Sequence, residues 1–85
     1  MHLLDLPQER LEIIEIEVGD ESPVVGRTVG DLGLPEGSLA ISILRGGTGF
    51  VPSADTELDD GDEVLVVLDV GLEAEITQLF APQGS

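Results

Sequence analysis

A run of acidic side chains is the feature of this sequence that most resembles a site for chemistry. Six carboxylates fall within the nine residues from Asp55 to Glu63, and Ca²⁺ prefers oxygen ligands of this kind. The spacing of the common calcium loop is not met, because its sixth position requires glycine and holds Asp60, and its twelfth requires glutamate and holds Val66. The run therefore predicts a solvated turn, with weak cation binding at an acidic rim left open.

Glycines surround Thr48 in the sequence GGTG of residues 46–49. Such a cluster invites comparison with a phosphate-binding loop, but that motif needs a helix N-terminus directly after the loop. The residues that follow, Phe50 and Val51, are typical of a strand. Residues 46–49 therefore predict the turn of a β-hairpin, in which glycine supplies the positive φ angles.

Arg45 stands directly before that turn and is one of three Lys or Arg residues in a chain with eighteen Asp or Glu residues. Two interpretations of it stay open. It is either a strand-end charge paired with a nearby carboxylate, or an anchor for an anionic ligand, since a guanidinium can hold a phosphate through two hydrogen bonds.

Catalytic chemistry has little support in the sequence. Nucleophilic catalysis needs a base beside the nucleophile, and the single histidine, His2, precedes the first predicted element. The chain has no cysteine, which excludes a thiolate metal site and a disulfide framework. Paired carboxylates could serve a hydrolase, but a short chain with two aromatic residues and no evident cleft is a poor host for one. We therefore expect a domain that is not an enzyme and needs no cofactor.

Length and charge narrow the class of protein further. Eighty-five residues with 41% hydrophobic content form one small core, and pairing with a second copy is a ready way to stabilise a domain of this size. The formal charge of −15 repels nucleic acid polymers and anionic membranes. No apolar run approaches the roughly 18 residues of a spanning helix, and no secretory signal is visible. The expectation is a cytoplasmic homodimer without direct membrane insertion.

Hydrophobic periodicity predicts the elements that carry these residues. Residues 11–18 alternate as a half-buried strand with Ile14, Ile16 and Val18 on one face, and residues 64–68, apolar at every position, predict the central strand. The other predicted elements are a short helix at residues 25–32 with a cap at Thr28, a strand at 39–44 with Leu39, Ile41 and Ile43 on one face, a short edge strand at 50–51 before Pro52, and a terminal helix at 72–80. We therefore expect an α+β domain of order β-α-β-β-β-α, with a mostly antiparallel sheet and helices packed on it.

Five segments then form a pattern in their order along the chain. They are residues 25–32 (VGRTVGDL), 34–37 (LPEG), 39–46 (LAISILRG), 51–58 (VPSADTEL) and 61–67 (GDEVLVV). Their ordered combination resembles the TrkA-C domain, the C-terminal lobe of RCK (regulator of conductance of potassium) proteins. The expected division is a linker or N-terminal extension at residues 1–10, a TrkA-C-like regulatory domain at 11–80 and a C-terminal tail at 81–85.

This resemblance implies a dimeric cytosolic domain that senses a ligand and controls a potassium or other monovalent-cation transport system. The controlled protein would be a potassium channel, an uptake system or a cation/proton antiporter, attached to the domain or acting in trans. In several such proteins the lobe binds the second messenger cyclic di-AMP between two copies. By position, the ligand-binding residues implied here are Leu39, Ala40, Ile41, Arg45, Val51 and Pro52. The alternative is a purely structural dimerisation module of a transporter, with no small-molecule ligand.

Overall fold

Residues 11–82 are described by a computed structural model. The predicted linker at residues 1–10 and most of the predicted tail lie outside the described residues. The elements are the strands β1 (Leu11–Glu17), β2 (Ser38–Arg45), β3 (Thr48–Phe50) and β4 (Glu63–Asp69), the helix α1 (Glu73–Phe80), and a 3-10 turn at Val29–Asp31. The predicted α+β class is therefore confirmed.

The strands form one antiparallel sheet in the order β1-β4-β2-β3. β4 lies inside the sheet, paired with β1 on one side and β2 on the other. Its residues Val64, Val66 and Leu68 are fully buried, because they point into the core on the face where α1 packs. The prediction that residues 64–68 form the central strand is confirmed.

β1 follows the predicted alternation. Ile14 and Ile16 pack against the core, whereas Glu15 and Glu17 are exposed, and Val18 just after the strand is fully buried. The sheet therefore has a core face and an opposite face, which we call the open face. The open face consists of Leu11, Ile13, Glu15 and Glu17 of β1, Glu63, Leu65, Val67 and Asp69 of β4, and Leu39, Ser42 and Leu44 of β2.

β2 departs from the predicted alternation. A β-bulge shifts its pairing with β4 between Ala40 and Ser42, so that Ala40 and Ile43 point into the core while Leu39 is 61% exposed on the open face. The prediction that Leu39, Ile41 and Ile43 share one face is therefore wrong. The bulge adds one residue, Ile41, which reverses the phase of the side chains and leaves Ile41 outside the core cluster.

The predicted helix at residues 25–32 is also wrong. The structure has only the 3-10 turn Val29–Asp31, and the side chain before it forms no cap hydrogen bond. The segment runs beside residues 54–58, where carbonyl groups accept hydrogen bonds from the N–H groups of Val29 and Gly30. This lateral pairing satisfies backbone donors that a helix would direct along its own axis.

The hairpin between β2 and β3 is present as predicted. Gly46 and Gly47 connect the strands with φ angles of +59° and +83°. A two-residue hairpin turn of type I′ requires a positive φ at both of its central residues. Arg45 pairs with Thr48 across the turn. β3 lies at the edge of the sheet, as expected from Pro52, which has no N–H group to continue the pairing.

The terminal helix α1 closes the core. It begins at Glu73 within the predicted range and buries Ile76 and Phe80 against the sheet. Glu73 and Glu75 lie in its first turn, where carboxylates interact favourably with the helix dipole. The fully or nearly buried apolar residues of this single core are Val18, Val24, Leu32, Ala40, Ile43, Leu58, Val64, Val66, Leu68, Ile76 and Phe80.

Candidate functional site

The side chain of Arg45 is bound within the domain by a buried carboxylate. Its Nε donates a hydrogen bond to Oδ1 of Asp62 over 2.8 Å, and its Nη2 donates to Oδ2 over 2.7 Å. The sheet register explains the pairing: Leu44 lies opposite Glu63, so the last residue of β2 meets the residue just before β4. Two parallel hydrogen bonds between ionised planar groups form one of the stronger polar contacts in proteins.

Asp62 is the buried member of this pair, with 1% of its surface exposed. Oδ2 of Asp62 also accepts the N–H of Asp59 over 2.9 Å. The hydrogen bond from Arg45 is the main cause that holds the pKa of Asp62 below its ordinary value, and it outweighs the opposing effect of burial. The same hydrogen bond raises the pKa of Arg45. Both groups are therefore ionised at neutral pH.

Arg45 also connects neighbouring segments. Nη2 donates to the carbonyl oxygen of Glu57 over 2.9 Å, and the guanidinium carbon lies 5.2 Å from the centre of the Phe50 ring. Nη1 approaches Oδ2 of Asp59 at 3.5 Å, and the Arg45 side chain is 38% exposed. The structure therefore shows the first of the two interpretations of Arg45, a strand-end charge paired with a carboxylate. Within residues 11–82, Nε and Nη2 donate hydrogen bonds of 2.7 to 2.9 Å, whereas the contact of Nη1 is this longer approach to Asp59.

The sequence interpretation of residues 55–63 as a solvated turn misses Asp62. Most of the run is exposed, but Asp62 turns inward to Arg45. A signal for this was available in the sequence. Arg45 ends one predicted strand and Asp62 precedes another, so antiparallel pairing of the two strands would place the two charges together.

The other five residues of the predicted ligand site lie in different surroundings. Leu39 is exposed on the open face, Ala40 is buried in the core and Ile41 is half-buried at the bulge. Val51 is 82% exposed, and Pro52 beside it is half-buried. Because β3 runs antiparallel to β2, the residues after β3 continue towards the bulge. The core position of Ala40 separates it from the exposed side chains of Leu39 and Val51.

Three glutamates crowd together at one end of the open face, and we call this group the glutamate corner. Glu17 lies directly opposite Glu63 in the register of β1 and β4, and Glu15 follows on the same face of β1. A hydrogen bond with the Glu15 carboxyl is the main cause that raises the pKa of Glu63, and the charges of Glu15 and Glu17 raise it further. Within residues 11–82, no group of three or more carboxylate or histidine side chains is placed to hold a metal ion.

Two surface hollows lie along α1, away from Arg45. One lies between the end of β1 and the end of the helix, where Ile16, Ser22 and Phe80 form part of its lining. The other runs beside Ala74 and Gln78. Neither hollow is lined by a residue of the predicted ligand site. In the described part of the chain, no helix is long and apolar enough to cross a membrane.

Comparison with known proteins places these features in a family context. The family model for the TrkA-C domain matches residues 13–81. The Trk system potassium uptake protein TrkA of Mycobacterium tuberculosis (strain H37Rv) is 34% identical over 82 residues, which cover 96% of this chain and 37% of that protein. The Trk system potassium uptake protein TrkA homolog 1 of Methanosarcina mazei is 28% identical over 78 residues, which cover 92% of this chain and 17% of the homolog. The chain thus spans well under half the length of these relatives.

Solved structures share the fold. A structure of an RCK domain with cda has a TM-score of 0.70 at 20% identity and covers 81% of this chain and 97% of that chain. The RCK_C domain dimer of S. agalactiae BusR in complex with c-di-AMP has a TM-score of 0.69 at 24% identity and covers 80% of this chain and 93% of that chain. These likenesses confirm the fold predicted from the five ordered segments.

Proposed function

Because this chain belongs to the TrkA-C domain family, whose members are regulatory and not catalytic, we propose that it controls a potassium or other monovalent-cation transport system. The observation that carries the proposal is its 34% identity, over 82 residues, with the potassium uptake protein of M. tuberculosis. We place the regulatory domain at residues 11–80, between a linker or N-terminal extension and a short tail. Its place in the cell is the cytoplasm, at the inner face of the membrane that holds the transporter.

The proposed regulation depends on pairing of two copies. A domain of this size has a small core, and a second copy adds buried surface. A two-fold dimer is the commonest closed arrangement of identical chains, and the BusR domain that shares this fold is a dimer. The geometry of the pair would be transmitted to a channel, an uptake system or an antiporter, which is attached to the domain or is a separate partner.

We further propose that the pair binds cyclic di-AMP, the ligand of the BusR dimer. Leu39 and Val51 offer exposed apolar surface that suits the faces of adenine bases. Ile41 and Pro52 are half-buried and would border the bound nucleotide. Ala40 is buried, so its part is to fix β2 in the core below the ligand.

Arg45 would contact a phosphate of the ligand through Nη1. Its Nε and Nη2 bonds to Asp62 would remain, while the phosphate oxygen replaces the 3.5 Å approach of Asp59 to Nη1. Two copies would supply one such nitrogen for each of the two phosphates. The formal charge of −15 on each chain opposes binding of an anion, so affinity is expected to rise with added salt that screens this field.

A calorimetric titration of the chain with cyclic di-AMP tests the ligand proposal. Val51→Glu is the sharpest variant, because Val51 is 82% exposed and a carboxylate there would repel the phosphates without disturbing the core. We expect it to weaken binding about tenfold or more, equivalent to about 1.4 kcal/mol. Val25→Glu is the matched control, since it adds the same charge in a turn outside the sheet and should leave affinity unchanged. Arg45→Ala should also weaken binding, but it removes the partner of Asp62 as well.

The alternative function is a purely structural dimerisation module with no small-molecule ligand. The observation that favours it is the commitment of Arg45 to Asp62 in a strongly acidic chain. No heat and no thermal shift at about 100 μM cyclic di-AMP, roughly 100 times the Kd of a micromolar site, would decide for this alternative. Binding that Val51→Glu leaves intact would mean that the ligand lies elsewhere.

A chimera tests the regulatory proposal independently of the ligand. The chain would replace the matching part of the M. tuberculosis potassium uptake protein, and potassium uptake would be measured in cells that lack their own copy. We expect potassium uptake in cells that carry the chimera to exceed uptake in cells without it. A chimera that folds and pairs but leaves uptake at the level of cells without it would contradict the proposal.

A further inference from the structure

The hydrogen bonds of Arg45 leave one of its nitrogens available to a ligand. A guanidinium carries five N–H groups, one on Nε and two on each terminal nitrogen. Nε donates to Asp62, and Nη2 donates both to Asp62 and to the carbonyl oxygen of Glu57. The other two N–H groups belong to Nη1, whose contact within residues 11–82 is the 3.5 Å approach to Oδ2 of Asp59. A further anionic oxygen must therefore bind at Nη1.

The contacts on the other side of the guanidinium fix the direction of Nη1. Both carboxylate oxygens of the buried Asp62 bind the edge formed by Nε and Nη2. The Glu57 carbonyl holds Nη2 as well, and the guanidinium carbon lies 5.2 Å from the centre of the Phe50 ring. Because the guanidinium is planar and rigid, these contacts prevent it from turning towards another partner. A ligand must come to Nη1 where Nη1 already lies.

Asp59 is fixed at its backbone and free at its side chain. Its N–H donates to Oδ2 of Asp62 over 2.9 Å, and its carbonyl oxygen accepts the N–H of Asp62 over 3.1 Å. The Asp59 side chain, in contrast, is 60% exposed, and its ion pair within the described residues is the approach to Nη1. The carboxylate can therefore rotate away from Arg45 without any change in the turn that carries it.

The two carboxylates bind Arg45 with very different strength. Exposed ion pairs contribute little, because water solvates both charges, whereas the bond to Asp62 is bidentate and its carboxylate is buried. An incoming anion therefore displaces Asp59 and leaves Asp62 in place. After rotation Asp59 remains on the same turn, so its charge continues to repel an anion bound at Nη1.

We infer that Asp59 is an internal competitor for the anion position on Arg45, and that Asp62 is the positioning residue that directs Nη1 towards that position. This inference rests on the proposed function, which places a phosphate at Nη1 but does not say what sets its affinity. Selectivity follows from the competition. An anion without further contacts gains no more at Nη1 than Asp59 already provides, so a ligand must also bind elsewhere on the domain to displace it.

Asp59→Asn and the matched control Asp60→Asn test the competitor. Each removes one carboxylate from the same turn, and both positions are exposed, but the ion pair with Arg45 belongs to Asp59. The measurement is a calorimetric titration with cyclic di-AMP in roughly 0.5 M salt, where charges that are not in contact are largely screened. Asp59→Asn should bind about threefold more tightly for each copy, hence about tenfold for a pair. Asp60→Asn should stay within about twofold of the wild type.

The role of Asp62 is followed through the Nε–H of Arg45 in an NMR spectrum, assigned with Arg45→Lys. Its hydrogen bond to Asp62 should persist in Asp59→Asn and in the complex with the ligand, so the proton should remain slow to exchange with water. Rapid exchange of this proton on ligand binding would show that the ligand displaces Asp62 and not Asp59, and the assignment of the two carboxylates would be wrong.

The titrations separate this inference from the ligand proposal. If the wild type binds the nucleotide but Asp59→Asn binds no more tightly than Asp60→Asn, the inference alone is wrong. If no variant binds the nucleotide, millimolar inorganic pyrophosphate becomes the probe. A shift of the Arg45 Nε–H signal in Asp59→Asn that is larger than in Asp60→Asn would then support the inference without the ligand proposal. Equal responses of the two variants, or none, would overturn both.

Discussion

Asp62 and Glu63 are consecutive carboxylates at the start of β4, and they lie in opposite electrostatic surroundings. Asp62 turns to the core side, where the hydrogen bonds of Arg45 lower its pKa. Glu63 turns to the open face, where the carboxyl of Glu15 raises its pKa. The alternation of a β-strand, which sends successive side chains to opposite faces, is enough to separate the two.

This difference shows how a chain with a formal charge of −15 uses its few cations. Arg45 is bound to the carboxylate that is buried, where an unpaired charge would be most costly. Arg27 donates to the carbonyl oxygen of Asp31. Within residues 11–82 no ion pair reaches the glutamate corner, so its carboxylates depend on solvent and salt for compensation.

Removal of Asp62 is expected to have the largest effect on stability. Asp62→Ala deletes both hydrogen bonds from Arg45 and the one from the N–H of Asp59. Breaking a buried ion pair costs about 3 to 5 kcal/mol, but Arg45 is 38% exposed and water can solvate part of it. We therefore expect the free energy of unfolding, measured with urea, to fall by about 2 to 4 kcal/mol.

Asp60→Ala is the matched control for that measurement. Asp60 belongs to the same turn but is exposed, so its removal should change the free energy of unfolding by less than about 0.5 kcal/mol. Equal losses from the two substitutions would show that the turn, and not the bond to Arg45, sets the stability of this region. Protein concentration must be fixed throughout, because pairing adds to apparent stability.

The two carboxylates should also give stability an optimum in mildly acidic solution. The pKa of Glu63 is raised in the folded chain, so as pH falls from neutral towards the unfolded value of about 4.3 the folded state takes up this proton first and gains stability. The pKa of Asp62 is lowered in the folded chain, so its contribution is present above the unfolded value of about 3.9 and is lost as pH falls through the folded pKa.

Two variants separate the rise in stability, assigned to Glu63, from the fall at lower pH, assigned to Asp62. Urea midpoints measured between about pH 3 and pH 7 should rise as pH decreases towards the unfolded glutamate pKa of about 4.3 and should fall again below the unfolded aspartate pKa of about 3.9. Glu63→Gln should flatten the rise, and Asp62→Asn should reduce the fall. A midpoint that decreases steadily from pH 7 downward in the wild type would mean that repulsion at the glutamate corner does not affect stability.

The regular parts of the fold could be predicted from sequence, because period-2 alternation in residues 11–18, the apolar run at 64–68 and the glycines before Thr48 each report a local physical requirement. The β-bulge at Ile41 could not, since LAISIL alternates well enough to hide one extra residue. The helix predicted at residues 25–32 failed because its backbone donors pair with a distant loop, a tertiary effect that a local pattern does not contain.

The site was predicted in part for a similar reason. Arg45 is identifiable in the sequence as a rare cation, and its pairing with an acid is one of the two interpretations that the sequence leaves open. Which acid it would bind depends on the register between β2 and β4, and the crowded run from Asp55 to Glu63 offered six choices. Strand pairing, and not composition, distinguishes Asp62 from its five neighbours in that run.

The smallest expected effect is relief of repulsion at the glutamate corner. Glu63→Gln keeps the shape of the side chain and removes the charge that faces Glu15 and Glu17, so urea unfolding at pH 7 should show a slight gain in stability, opposite in sign to the loss from Asp62→Ala. The gain should vanish at about 1 M salt, where the screening length is about 3 Å, and it should shrink when Glu15→Gln is already present, because the two substitutions relieve the same contact. Glu21→Gln removes an equal charge from an exposed turn. If Glu21→Gln gives the same gain as Glu63→Gln, the net charge of the chain and not the crowding of the glutamate corner is responsible for the gain. The contrast between Asp62 and Glu63 would then have no support from stability on the side of Glu63.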